Sequence, residues 1–190
     1  MDFNVEAKYS IEIFEKNDID CTWDTIQVGY DLERLTLHEI EKFAIFYLES
    51  HPKIINEYIS ELICGIQEYE INNCLKNAFL SLGLKFPEKY SAIWNREWLK
   101  WRYCILSEMV KNIKNDEELI YKVEGLCADF GYPDDMKNLI YYMPADKVVM
   151  PLTPVEARKK LIEKAKNFLA YEREKIDQGA CILPSRGINY

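Results

Sequence analysis

Tyr90, Trp94, Trp98, Trp101, Ile105 and Met109 follow one another at steps of four, four, three, four and four residues. That spacing lines one face of an α-helix, whereas strand residues alternate between faces. A row carrying three tryptophans must find apolar surface to cover it, and it predicts an amphipathic helix over 88–113. The same period recurs on both sides. Thr36 with Glu39 is a capping-box signature, and Leu37, Ile40, Ala44, Tyr47 and Leu48 continue it into a helix ending at Ser50, before His51-Pro52. Ile45 and Phe46 fall off that stripe, so this helix is apolar on more than one face and is expected to lie centrally. Ile54, Ile55, Tyr58, Ile59, Leu62 and Ile63 give the next helix, up to Gly65. Tyr69, Asn73, Lys76 and Leu80 set the register of another over 67–82, closed by Gly83 and antiparallel to its predecessor.

Downstream, Asp116, Glu117 and Glu118 suit the positive end of a helix dipole, and Ile120, Val123, Leu126 and Cys127 give that helix an inner face until Phe130-Gly131. Pro133, Asp134 and Asp135 restart a short helix that Pro144 cuts, and 145–152 reads as extended. Thr153-Pro154 with Glu156 opens the last helix. Its Val155, Leu161, Ala165, Phe168, Leu169 and Ile176 lie on one side, and Arg158, Lys159, Lys160, Lys164 and Lys166 on the others, as a solvated basic face. Only seven glycines and seven prolines occur in 190 residues, too few turn residues for a many-stranded sandwich or barrel. The expected fold is all-α, a single-domain bundle of about seven to eight helices over 1–178, with a tail at 179–190.

A hydrophobic share of 48% with 13% aromatics excludes disorder as the main state. The N-terminus lacks the features of a secretory signal, and no 18-residue uncharged apolar run exists, so a cytoplasmic protein without a membrane partner is expected. No pair of the six cysteines forms C-x-x-C, and most stand in apolar helical runs, which reads as small buried hydrophobes.

Catalytic chemistry is hard to find. His38 and His51 have no metal-spaced or catalytic neighbours and read as surface or cap residues, and the common nucleotide-phosphate and nucleophile-elbow motifs are absent. Asp129, Asp134 and Asp135 offer oxygen ligands for a divalent cation, or simply acids at helix ends. The tryptophan row reads as core before it reads as a stacking platform for bases, because a chain of net charge −8 is a poor phosphate binder. No catalytic residue, metal or cofactor is expected, and no nucleic-acid partner. The charge itself is uneven. Residues 1–80 hold 16 acids against 6 bases. Glu12, Glu15, Asp18, Asp20, Asp24, Asp31 and Glu33 crowd together there, either as a solubilising face or as a docking surface for a cationic protein. The docking reading assigns partner contacts to Asp18, Asp20, Asp24, Asp31 and Glu33.

The run from Val123 to Pro144, VEGLCADFGYPDDMKNLIYYMP, resembles the C-terminal signature of an uncharacterised bacterial all-helical domain family. Ala128, Asp129, Phe130, Tyr132, Pro133 and Tyr142-Met143-Pro144 carry the likeness, and Leu126-Cys127 departs from it. TWDTIQVGY, with Trp23, Gly29 and Tyr30, and the following LTLHEIEKFA resemble the family's start, so the likeness covers about residues 20–145. The resemblance implies a domain without known activity, encoded beside polymorphic or contact-dependent growth-inhibition toxins. In that setting the chain is expected to be an immunity protein that neutralises a cognate, basic, nuclease-type toxin domain. A helical adaptor is the alternative, and a metal-assisted hydrolase using the three aspartates a more distant one. The ADF-YP run itself reads as a corner between helices, plugged by Phe130 and Tyr132.

Overall fold

The computed structural model describes residues 8–140 and 153–179; among these the chain is all-α, with eight α-helices, two 3-10 helices and no strand. Pro144 and the Tyr142-Met143-Pro144 triplet, the 145–152 stretch, Cys181 and the tail from 180 onward lie outside the described residues. Contacts group the chain into two compact units that meet in sequence between Trp98 and Leu99.

The first unit begins with two short helices that the periodicity did not signal, α1 (Glu12–Glu15) and α2 (Trp23–Asp31). α1 is a single turn. Asp18 closes it with a left-handed φ of 52°, which lets Ile19 N–H bond back to the Phe14 carbonyl at 3.0 Å and tucks Ile19 inside. α2 starts where Thr25 Oγ1 accepts the Thr22 N–H at 3.0 Å. α3 (Leu37–Ser50) is capped by Thr36, which accepts the Glu39 N–H at 3.3 Å, but the expected reciprocal half of the box is absent. Glu39 instead accepts from Ile11 N–H at 2.8 Å and Ser10 Oγ at 3.1 Å, tying the segment before α1 to α3. Central burial of α3 is also overturned. Phe46 is 63% exposed and Ile45 37%, so the second apolar face of this helix looks outward.

α4 (Glu57–Cys64) begins later than its apolar run because Asn56 caps it, accepting from Tyr58 and Ile59 N–H groups. Ile55 is left outside, fully exposed. After a 3-10 turn at Glu68–Glu70 comes α5 (Ile71–Ser81), which packs on α4 as α4 does on α3. The Tyr69–Leu80 row marks its outer face; Ile71, Cys74, Leu75, Ala78 and Phe79 are the buried ones. Periodicity found the helix and its register without assigning a buried side.

α6 (Ala92–Asn112) carries the tryptophan row. Tyr90 lies outside it with φ 67°, its ring 5.5 Å from that of Trp94. The amphipathic expectation fails here, since every residue from Trp94 to Ser107 is buried or half-buried. Glu97 is an interior polar member with partners, accepting from Thr25 Oγ1 at 2.7 Å and from Arg96 Nε at 2.9 Å. Trp94, Trp98 and Trp101 are core, not a stacking platform.

In the second unit, α7 (Asp116–Asp129), the 3-10 helix Asp134–Leu139 and α8 (Pro154–Asp177) pack on one another. Asn115 caps α7 through the Glu118 N–H at 2.9 Å, and Thr153 with Glu156 forms the predicted box on α8. The ADF-YP corner is a helix stop in which Gly131 N–H reaches the Ala128 carbonyl and Tyr132 N–H the Cys127 carbonyl, both at 2.8 Å. Gly131 (φ 75°) and Tyr132 (φ 50°) are both left-handed. Phe130 plugs the corner as expected, whereas Tyr132 is 48% exposed and plugs nothing.

Arg102 and Glu172 are wholly buried. The guanidinium of Arg102 meets Asp135 with two bonds of 3.0 and 2.8 Å and Glu172 with bonds of 3.1 and 2.7 Å, over the Phe168 ring. Lys175 closes the set on Glu172 at 3.3 Å. Asp135 is therefore more than a first-turn acid. The basic face of α8 is likewise only partly solvated: Lys159, Lys160, Lys164 and Lys166 are exposed, but Arg158 bonds the Ile113 and Asn115 carbonyls and pairs with Asp116 at 3.1 Å. Val155, assigned to the inner side, is exposed.

Candidate partner-binding surface

Two open grooves on the first unit take in all of the crowded acids but Asp24. The first, of about 520 Å³, runs between α1 with its following loop and α3. Ile11, Ile19, Phe43 and Phe46 give it apolar floor and wall, and Glu12, Glu15, Asp18 and Asp20 rim it, with Lys42 as the one base among the described residues. The floor is rigid. Phe43 is held by the Trp23 ring, edge-on at a centroid distance of 4.8 Å, and by Tyr47 stacked at 6.3 Å. Lys42 Nζ donates to Glu12 Oε1 at 2.6 Å; that bond holds the Glu12 carboxyl below its usual range and the Lys42 ammonium above its own. Lys42 is thus paired within the groove, whose described lining holds four acids and one base.

The second groove, of about 650 Å³, is lined by Tyr30, Asp31, Glu33, Glu68, Leu35 and Leu37 among others, with Lys8 at its edge. Lys8 lines this groove and Ile11 the first, and three residues of chain span at most roughly 10 Å. The two grooves are therefore neighbours across the Lys8–Ile11 segment. Asp31 is the most constrained acid here. It accepts from Trp94 Nε1 at 3.1 Å and Gln27 Nε2 at 2.9 Å, and burial pushes its carboxyl up against those two bonds, which pull it down. Glu33 holds a left-handed φ of 57° and is exposed.

Of the five acids singled out from sequence, Asp18 and Asp20 come together in the first groove, and Asp31 and Glu33 in the second. Asp24 lines neither; it is half-buried and 3.7 Å from Arg96 Nη2. Phe46 was missed as a site residue, although its position off the α3 stripe was the signal that could have found it. Elsewhere the alternatives weaken. Asp135 is taken by Arg102 and Asp134 pairs with Lys137, and among the described residues no group of three or more His, Cys, Asp or Glu is arranged to hold a metal ion. His38 is exposed 3.7 Å from Glu41, and His51 ends α3 with its ring stacked on Tyr47. Cys74, Cys104 and Cys127 are buried, but Cys64 is exposed and Cys21 half-buried, so the expectation of buried thiols holds for only part of the set.

Residues 11–173 match a family described as "Uncharacterized protein conserved in bacteria (DUF2247)". The chain belongs to the DUF2247 family. The DUF2247 match takes in the acid-rimmed groove from Ile11 to Phe46 and the buried Arg102, Asp135 and Glu172. No curated protein and no solved structure matches the chain. Among the described residues no helix is long and apolar enough to cross a membrane.

Proposed function

We propose that this DUF2247 chain is an immunity protein that binds a cognate secreted toxin and neutralises it by lying across the active cleft, one copy to one, without turnover. The observation that carries the reading is the first groove, an apolar floor with Phe46 exposed inside a carboxylate rim. An enzyme that acts on a polyanion needs a cationic cleft, and a nuclease is the leading case. A surface rich in carboxylates meets such a cleft with opposite charge, speeds encounter and competes for the groups that would hold phosphates. The second groove extends that surface with Asp31, Glu33 and Glu68. The likeness of the ADF-YP run to toxin-associated immunity domains supports the same reading.

Co-expression with the toxin domain encoded by the adjacent gene tests it. Cells carrying both proteins should grow, and the purified pair should comigrate on a sizing column as a one-to-one complex. If cells die and the two proteins elute apart, the reading is lost. Comigration without protection would point to a helical adaptor.

A further inference from the structure

The Lys8–Ile11 segment that parts the two grooves is held from both sides. Glu39 on α3 accepts the Ile11 N–H at 2.8 Å and the Ser10 hydroxyl at 3.1 Å. On the other flank the Tyr9 N–H donates to the Arg34 carbonyl and the Lys8 ammonium to the Glu33 carbonyl, both at 2.8 Å. These ties are hydrogen bonds, and no side chain from Lys8 to Ile11 is fully buried. Just beyond, Ile13 and Phe14 are buried and fix α1 to the core. The segment thus has a firm end at α1 and a shallow, polar seat along the rest, the pattern of a piece that opens below the free energy of unfolding.

Glu39 is the telling residue. It stands where a carboxylate ordinarily reaches back to complete a capping box with Thr36. Here it turns to a segment 28 residues away instead. A local preference that yields to a distant bond marks function or strain. What lies on either side gives the bond its purpose. Leu37 lines the second groove, Lys42, Phe43 and Phe46 line the first, and all four belong to α3. From Leu37 to Phe46 the helix rises roughly 14 Å, and Glu39 stands between them.

We propose that Lys8–Ile11 is a strap latched by Glu39 across α3, and that it lifts as a unit, with α1 in place, to join the two grooves into one trough along that helix. Latched, the surface offers two short recesses of about 520 and 650 Å³. Released, it offers a single long one. Glu39 is a positioning residue here, acting through the strap. The inference stands apart from the neutralisation reading, since it concerns how this surface changes shape and not what occupies it.

Native-state amide exchange on the full chain tests it, with Tyr9 and Ile11 reporting on the strap and Ala44, wholly buried in the middle of α3, on the core. The two strap amides should exchange about a hundredfold or more faster than Ala44, at a rate indifferent to low urea. Glu39→Ala should speed both by about tenfold or more and leave Ala44 unchanged, and Glu39→Gln, whose amide oxygen still accepts, should restore most of the protection. Nile red, a neutral dye that brightens on apolar surface, should gain about threefold or more with Glu39→Ala over the parent and little with Glu39→Gln. Strap amides that exchange at the Ala44 rate, or a Glu39→Ala that speeds Ala44 as much as Ile11, would show that the segment opens only with the whole unit. Dye binding unmoved by Glu39→Ala would show that the grooves stay apart once the latch is gone. Either result overturns the inference.

Discussion

Cys74 and Cys127 show how burial silences a reactive group. The Cys74 thiol is pushed up to about 12 by burial and then by Glu61, and donates to the Tyr58 carbonyl at 3.1 Å. Cys127 is pushed up to about 12 by burial, with Arg102 opposing. Thiolate is the reacting species, so iodoacetamide at about pH 8 should label exposed Cys64 in the native protein and leave Cys74, Cys104 and Cys127 untouched until denaturant is added, as peptide mass spectrometry would read. Asp31 makes the reverse point for an acid. Its pKa in the fold lies above the ordinary 3.8, so between those two values the folded chain holds a proton that the unfolded chain has lost. Stability from this group is therefore present at low pH and is lost as pH rises through the raised value. Urea titrations should show wild type losing ground to Asp31→Asn over that window and running parallel to it above. At the ADF-YP corner, Phe130→Ala should cost about 3–5 kcal/mol by the same urea measurement, because a nearly buried ring leaves a cavity.

At the scale of elements, the second unit depends on an ion pair that its helices enclose. Arg102→Met strips the buried Glu172 of its two guanidinium bonds and leaves it Lys175 at 3.3 Å; the change should cost about 3–5 kcal/mol, and the double change Arg102→Met with Glu172→Met should recover much of that loss in chemical denaturation. Nothing in the sequence announced this pair. Helical period is a local signal, and Arg102 and Glu172 stand 70 residues apart. What was legible is what short range decides: the start of α3 at Thr36, the box of Thr153 and Glu156, the stop at Gly131. Period gives the spacing of a face without saying which face turns inward, so the register read from Tyr69 and Leu80 did not reveal that both lie on the outer face of α5. It also says little about one-turn or two-turn helices, hence the silence over α1 and α2. The surface was half legible for the same reason. Acid density singled out Asp18 and Asp20, which the fold sets along one groove, but only the fold could pair Asp24 with Arg96 and bond Asp31 to Trp94.

For the whole molecule, the excess of acids in residues 1–80 acts as a field whose reach is set by salt. The screening length is about 10 Å at 0.1 M and shrinks to about 3 Å at 1 M. If the proposed toxin binds here, reversing Asp18 and Asp20 together to Lys should slow its association by about tenfold or more at low salt, with the gap closing as salt rises in stopped-flow measurements. The same field bears on the chain's behaviour toward itself. An apolar patch such as the one around Phe46 is ordinarily sticky, and two copies meeting there would bury it to mutual advantage. Each copy brings a groove whose described lining holds four acids and one base, however, and like charge opposes that meeting at low ionic strength. The carboxylate rim thus works against self-association through the patch. Raising the salt removes that guard while strengthening apolar attraction, so light scattering should find the protein monomeric in dilute buffer and self-associating near molar sodium sulfate, with Phe46→Ser monomeric throughout.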